Sequence, residues 1–291
     1  MKMSIVTITY NRGNMIGETI QSVVNQTYTD FEYIIIDDGS DDDTEAVVKS
    51  FDDMRIQYYK YEKSVHQSFL RNEGFRKATG KYLSMVDSDD LWTPDKLEKI
   101  VSAIKKNSAI DFITHDVGFI SLDAQEIPEY GIKFSGNLLK DLLENKVLPF
   151  PVFTIRKESL ALLGYLDESL TDGQNDLFLQ AAAKFTTHYI EEKLTVMKKH
   201  TGNISNKVDM LHFSDYLKSL QKLVSENKLT KKEHRLYVSR IQYKMGYIYN
   251  REGNFSMAKK HFLSTFKLVP TSIIGLKSLI YLSVITLKVE K

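Results

Sequence analysis

The spacing of hydrophobic and polar residues changes character twice along the chain. Through about residue 115, short β-branched runs alternate with longer stretches whose apolar residues recur at helical spacing. Ser4 to Thr9 predicts a first strand, and Asn14 to Gln26, with Ile16, Ile20, Val23 and Val24 on one face, a first helix. Phe31 to Asp37 predicts a second strand, and Gly39 to Thr44 a turn leading into a helix. Arg55 to Tyr61 follows as a strand, Ser68 to Thr79 as a helix and Lys81 to Val86 as a fourth strand. This alternation predicts an α/β fold with a mostly parallel central sheet flanked by helices. Right-handed crossovers gather the carboxyl ends of the strands on one edge, where such sheets bind ligands. Thr9-Tyr10-Asn11, Asp37-Asp38 and Asp87-Ser88-Asp89 all fall there. From Asp111 to Thr201, with Pro128, Pro149 and Pro151 as punctuation, shorter and less regular elements are expected to close the other side of a cleft. After Asn206 the pattern is wholly helical.

Composition narrows the partners. Of 291 residues 42% are hydrophobic, enough for a substantial core. Lys plus Arg number 39 against 38 for Asp plus Glu, so no overall field draws the protein to nucleic acid, and no nucleic-acid partner is expected. The chain has no Cys, which removes disulfide and thiolate chemistry and agrees with a reducing cytoplasm. Its first residues enter a strand-like run directly, so no signal peptide is expected. The apolar stretch from Ile273 to Val289 is interrupted by Lys277 and Lys288. It is expected to lie peripherally on a membrane rather than cross one.

The most telling run is Tyr82-Leu83-Ser84-Met85-Val86-Asp87-Ser88-Asp89-Asp90, an apolar strand ending in three carboxylates. Alternation along an extended chain sets Asp87 and Asp89 on the same side. Two hard oxygen ligands without Cys or His beside them suit Mg²⁺ or Mn²⁺ shared with substrate phosphates. A helix N-cap ahead of Pro94 accounts for one of the aspartates but not three.

Five strings in order, Ser4-Ile-Val-Thr-Ile-Thr-Tyr-Asn-Arg12, Asn25-Gln-Thr-Tyr28, Tyr33-Ile-Ile-Ile-Asp-Asp-Gly-Ser40, Arg71-Asn72 with Gly74, and Asp87-Ser-Asp-Asp-Leu-Trp-Thr-Pro-Asp-Lys-Leu97, resemble the inverting family 2 nucleotide-sugar glycosyltransferases with a GT-A fold. The resemblance covers about the first hundred residues. It implies a catalytic domain over 1–206, with a nucleotide-binding half at 1–115 and an acceptor-side half at 116–206, followed by an all-α C-terminal region at 207–291. In the latter, Tyr243 to Tyr249, Gly253-Asn254-Phe255, Ala258, Phe262 and Pro270 are similar to one tetratricopeptide-type helix pair.

By the same resemblance, Thr9, Tyr10, Asn11 and Asp38 hold the nucleoside, and a uracil edge suits an Asp acceptor beside backbone N–H groups. Arg71 pairs with the donor diphosphate. Asp87 and Asp89 form the Asp-x-Asp motif, with Asp89 the direct metal ligand, and His200 reaches the metal or the diphosphate. Asp90 is expected to support the motif or cap a helix, and Trp92 to pack.

The catalytic base departs from the family pattern. Where the family has an acidic pair before a Leu-aromatic-Leu helix, this chain has Asp172-Gly173-Gln174-Asn175-Asp176-Leu177-Phe178-Leu179. Gln174 stands in the base's place and cannot accept a proton, so Asp176, then Asp172, is the candidate. The resemblance therefore implies metal-dependent transfer from a nucleotide-sugar donor, UDP-linked, to a glycan or lipid-linked glycan acceptor in cell-surface polysaccharide synthesis. A catalytically silent sugar-nucleotide-binding scaffold is the alternative that Gln174 raises. A nucleotidyltransferase is a weaker one, since Thr9-Tyr10-Asn11-Arg12-Gly13 lacks its Gly-rich basic loop.

Overall fold

A computed structural model describes residues 1–63, 67–122, 134–144, 152–170, 173–200 and 210–289. Asp172 and the prolines at 128, 149 and 151 lie outside them. The chain divides into two compact units, Met1–Lys207 and Val208–Lys291.

In the first unit the strands are β1 (Met3–Thr9), β2 (Phe31–Asp37), β3 (Ile56–Lys60), β4 (Tyr82–Met85), β5 (Leu91–Trp92), β6 (Phe112–Ser121), β7 (Phe153–Arg156) and β8 (Thr187–Lys199). They form one sheet in the order β3-β2-β1-β4-β7-β6-β8-β5. The β3-β2-β1-β4 half is parallel, as the βαβ pattern predicts. In the other half β7 runs antiparallel to β4 and β6, and β5 antiparallel to β8, while β6 and β8 are parallel. The whole sheet is therefore mixed, with its continuous parallel portion in the N-terminal half and one further parallel pair, β6 and β8, in the other.

Strand alternation explains how both faces are covered. Met3 and Ile5 of β1 and Phe31, Tyr33 and Ile35 of β2 join the core that holds α1 (Ile16–Val24) and α4 (Lys96–Lys106). On the opposite face, a Cβ at Gly74 of α3 (Gln67–Lys77) would stand 2.4 Å from Val6 Cγ1 and 3.4 Å from Ile36 Cγ1. Glycine there lets α3 sit directly on β1 and β2.

The region from 111 to 200 contradicts the expectation of short elements, because β6 has 10 residues and β8 has 13. Their pairing breaks register at His115/Asp116 and Asp116/Val117, and such bulges re-aim a strand's continuation. The rest of this unit includes α2 (Thr44–Lys49), α5 (Leu138–Leu143), α6 (Lys157–Leu163) and α7 (Gln174–Lys184). Phe112 stacks on Phe153 at 5.7 Å, and Phe178 of α7 meets both edge-on at 5.1 and 5.6 Å. Those rings fix α7 against β6 and β7.

The second unit comprises α8 (Met210–Ser225), α9 (Lys231–Arg251), α10 (Phe255–Leu268) and α11 (Ile273–Val289). Thr230 and Glu233 form a reciprocal capping box at the start of α9. Gly246 and Phe262 approach closely between α9 and α10, where a Cβ on Gly246 would lie 3.0 Å from the ring. Among the described residues no helix is long and apolar enough to cross a membrane.

Candidate active site

The carboxyl ends of β1, β2 and β4 meet as the topology requires. The chain leaving β4 is pinned by Val86, whose N–H donates to Val6 O at 3.2 Å and whose carbonyl accepts from Thr7 Oγ1 at 2.9 Å. The strand itself stops at Met85, so the aspartates do not share a side through alternation as the sequence suggested. They sit in a turn closed by Asp90 N–H donating to Asp87 O at 3.1 Å, and Thr19 Oγ1 of α1 donates to Ser88 O at 3.1 Å. A turn carries successive side chains in different directions, and each aspartate consequently has its own neighbours.

Asp87 faces Arg71, with Nη2 3.8 Å from its Oδ1. Asp89 Oδ2 lies 3.1 Å from His200 Nε2 and 3.9 Å from Arg12 Nη2. His200 and Asp89 are 111 residues apart, and their meeting depends on β8 running its full length. Asp90 is the third, buried carboxylate, and its Oδ1 accepts from Lys198 N–H at 3.2 Å, two residues before His200. Burial, then the charges of Asp87 and Asp89, pushes its carboxyl well above the usual range. Burial likewise holds the Lys96 ammonium well below its ordinary range, against the pull of Asp90. Lys96 Nζ donates to Thr195 Oγ1 at 2.9 Å and lies 3.9 Å from the centre of the Trp92 ring. Trp92, as expected, packs in the core.

Arg71 projects from α3 and is almost wholly buried. The Gln174 amide oxygen, assigned from the donors around it, accepts from Arg71 Nη2 at 2.7 Å and Nη1 at 3.1 Å. Asn72 beside it donates to Leu166 O at 2.9 Å and Glu168 Oε1 at 2.7 Å, and accepts from Leu166 N–H at 3.0 Å. The loop into α7 is thus tied to the helix that carries Arg71. Asp176 lies in the first turn of α7, nearly buried, and accepts from Gln180 at 3.3 Å.

The loop after β1 is held by the one after β2. Asn11 adopts the left-handed region at φ 49°, which its short polar side chain tolerates. Its N–H donates to Ser40 Oγ at 2.9 Å, and its amide exchanges hydrogen bonds with Asp41 at 2.7 and 3.0 Å. Arg12 N–H donates to Thr44 Oγ1 at 2.8 Å, and Gly13 N–H to Asp42 Oδ2 at 3.0 Å. Asp41 and Asp42 therefore serve to shape the loop. Asp37 is buried, accepting from Ser40 N–H at 2.9 Å, Ser40 Oγ at 2.6 Å and the Tyr58 hydroxyl. Asp38 is half-buried, and its N–H donates to Thr9 O at 2.9 Å. Gly39 has φ 75°, and a Cβ there would stand 2.9 Å from Lys63 N. Lys63 in turn donates to the exposed Tyr10 hydroxyl at 2.8 Å.

The model of glycosyl transferase family 2 matches residues 4–163. The chain belongs to that family. It is 31% identical over 221 residues to an uncharacterized glycosyltransferase of Haemophilus influenzae, with 71% of each chain covered. It is 36% identical over 106 residues to the Escherichia coli UDP-Glc:alpha-D-GlcNAc-diphosphoundecaprenol beta-1,3-glucosyltransferase WfgD, covering 36% of this chain and 42% of that one. Several relatives are longer, and the chain spans 22% to 33% of three Rickettsia glycosyltransferases. Among solved structures, Staphylococcus aureus TarS 1–349 in complex with UDP-GlcNAc superposes with a TM-score of 0.67 at 18% identity, covering 93% of this chain and 82% of that one. The mannosyltransferase PcManGT of Pyrobaculum calidifontis, in complex with GDP-Man and Mn²⁺, gives 0.60 at 14% identity, covering 98% and 80%. At these identities the likeness shows the shared GT-A fold.

For this family 2 member, sequence reasoning named Arg71, Asp87, Asp89 and His200, which the fold brings to one end of the sheet. It did not give Arg12 a role, although Arg12 follows Asn11 directly at the carboxyl edge. Nor did it see Gln174 as the partner of Arg71, because that contact joins segments 103 residues apart (174 − 71).

Proposed function

We propose that the protein transfers one sugar from a UDP-linked donor to a hydroxyl of a lipid-linked or free glycan acceptor, by a single inverting displacement that needs Mn²⁺ or Mg²⁺. The observation that carries this reading is the pair Asp89 Oδ2 and His200 Nε2, 3.1 Å apart, with Arg71 3.8 Å from Asp87 and Arg12 3.9 Å from Asp89. Among the described residues no group of three or more His, Cys, Asp or Glu side chains could hold a metal by itself. A carboxylate with an imidazole nevertheless fits Mn²⁺, or Mg²⁺ less well, when phosphate oxygens and water complete the shell. Asp89 and His200 would hold the ion, with Asp87 beside it, and the bound cation supplies Lewis-acid neutralisation of the departing diphosphate.

The remaining roles follow from position. Tyr10, Asn11 and Asp38, with Thr9 behind them, form the rim suited to a nucleoside. Arg71, and Arg12 with it, offset phosphate charge as the leaving group separates. An inverting reaction needs a base on the face opposite the leaving group. Gln174 is directed at Arg71, and a residue two places on projects about 200° around the helix from it. Asp176, the carboxylate in the first turn of α7, is the candidate base. Asp172 is the alternative base. The likeness to WfgD, whose name specifies a UDP-Glc donor and a diphosphoundecaprenol-linked acceptor, supports UDP and a lipid-linked glycan.

A screen of nucleotide sugars for metal-dependent release of UDP tests this reading. Asp89→Ala and His200→Ala are expected to lower turnover by at least about 100-fold, and Asp176→Asn by about 100-fold or more. UDP that binds equally well with and without Mn²⁺, or an Asp89→Ala variant with parental turnover, defeats the metal role. Tight, Mn²⁺-dependent UDP binding without turnover on any donor or acceptor would instead favour the silent scaffold that Gln174 raises.

A further inference from the structure

The C-terminal unit carries a surface that sugar transfer does not explain. One side of α11 is packed: Ile285 is buried with Ala258 and Phe262, and Tyr281 stacks on Phe262 with ring centres 4.7 Å apart. The other side is bare. Ile273, Leu276, Leu279, Ile280 and Val284 are 44% to 74% exposed. At about 100° per residue they lie within one arc of about 140°, interrupted by Ser283 and edged by Lys277. A helix apolar on all sides belongs inside a protein or against lipid.

Charge selects between those environments. Residues 255–289, spanning α10 and α11, contain five lysines, at 259, 260, 267, 277 and 288, and no Asp or Glu. Lys259, Leu263 and Lys267 follow at four-residue spacing, all exposed, on α10. A second copy meeting this surface face to face would bring the same lysines together without a carboxylate from this segment to offset them. A bilayer rich in anionic headgroups supplies both missing complements, acyl chains for the apolar arc and phosphates for the lysines. The helix spans 17 residues, about 26 Å at ~1.5 Å per residue, short of the roughly 30 Å hydrocarbon core.

We propose that the exposed face of α11 seats the protein on an anionic bilayer surface, the helix lying along the headgroup boundary. This does not rest on the donor or metal assignments and stands or falls separately.

Co-sedimentation of the full chain with vesicles tests it, comparing phosphatidylcholine alone with phosphatidylcholine mixed with phosphatidylglycerol. Binding is expected to the mixed vesicles and to weaken as salt is raised. The double variant Leu276→Asp/Ile280→Asp, substituted at exposed positions so that the fold is retained, is expected to bind at least about tenfold more weakly. Circular dichroism and melting verify its fold. The variant Lys267→Glu/Lys277→Glu, which leaves the apolar arc intact, is expected to lose the preference for phosphatidylglycerol. No binding to either vesicle overturns the proposal, as does parental binding by the folded Leu276→Asp/Ile280→Asp variant. A concentration-dependent dimer that this variant abolishes, without vesicle binding by the parent, overturns it in favour of a second copy.

Discussion

Asn72→Ala should couple a loss of stability to a loss of turnover, because one side-chain amide ties the loop before α7 to the helix that carries Arg71. Asn72 is 1% exposed and makes three hydrogen bonds, two of them to the backbone N–H and C=O of Leu166. Alanine removes all three and leaves both Leu166 groups without that partner. An intramolecular hydrogen bond contributes about 1 kcal/mol net, and each buried group left unsatisfied costs about 1–3 kcal/mol. With partial relief by entering water, a loss of about 3 kcal/mol follows. For a unit of 207 residues, this lowers the melting temperature by about 6–12 °C. The function is affected through geometry. Leu166 precedes Gly173 and Gln174, so a loosened loop weakens the Gln174 hold on Arg71. Donor turnover measured well below the melting transition should show a lower kcat and a higher KM, and Asn72→Asp, which sets a buried carboxylate oxygen against Leu166 O and Glu168 Oε1, should lose at least as much stability. A melting temperature within about 1 °C of the parent, with unchanged kcat, refutes the reasoning.

Four further outcomes follow from the same geometry. Gly74→Ala drives a methyl group to 2.4 Å from Val6 Cγ1, and should cost about 1–3 kcal/mol in urea unfolding by lifting α3 from β1. Asp90→Ala leaves Lys198 N–H without its acceptor, whereas Asp90→Asn can keep it. The alanine variant should therefore lose about 1–3 kcal/mol and need more Mn²⁺ for half-maximal turnover, while the asparagine variant loses less on both counts. Burial alone would raise the Glu32 carboxyl, but hydrogen bonds from Ser4, the Thr79 backbone, Lys2 and the Thr79 hydroxyl outweigh it and bring the pKa down to about 2. The folded value lies below the unfolded one, so this stability is present above pH ~4.5 and is lost as pH falls toward about 2. Melting curves over that interval should show the loss, and Glu32→Gln should flatten it. Finally, Gln174→Glu should raise the donor KM severalfold, measured by UDP release, because a carboxylate beside Arg71 would compete with the diphosphate that the proposed function brings there.

The N-terminal half was legible because its physics is local. β-Branched runs of strand length, helical periodicity between them and polar residues at each strand's end required no long-range information. β6 and β8 escaped that reading. Glu191, Glu192 and Lys193 stand exposed in the middle of β8, and bulges near Asp116 break the alternation that would mark β6 as one long strand. The same division runs through the site. Three clustered carboxylates exceed what a turn or cap needs, so the Asp87 to Asp90 run could be recognised. Their disposition was misread because the strand stops at Met85, two residues before the first of them. The contact between Asp89 and His200 was legible only as an expectation from family resemblance, since it requires β8 to be paired, bulged and full-length.

Distances in the site differ from those of an ion pair elsewhere in the same unit. A guanidinium committed to a carboxylate closes to about 2.7–2.9 Å, as Arg156 Nε does with Asp111 at 2.8 Å. Arg71 and Arg12 stand 3.8 and 3.9 Å from Asp87 and Asp89. Arg71 also meets a neutral amide oxygen, that of Gln174, at 2.7 and 3.1 Å. An amide oxygen fixes a guanidinium in place without bringing a negative charge to it. The glutamine that removes a general base from position 174 thus has a physical use there: it orients a cation, which under the proposed function faces the diphosphate, with proton transfer left to a carboxylate elsewhere. On this argument the departure at Gln174 divides two tasks between residues, and it does not by itself make the protein a silent scaffold.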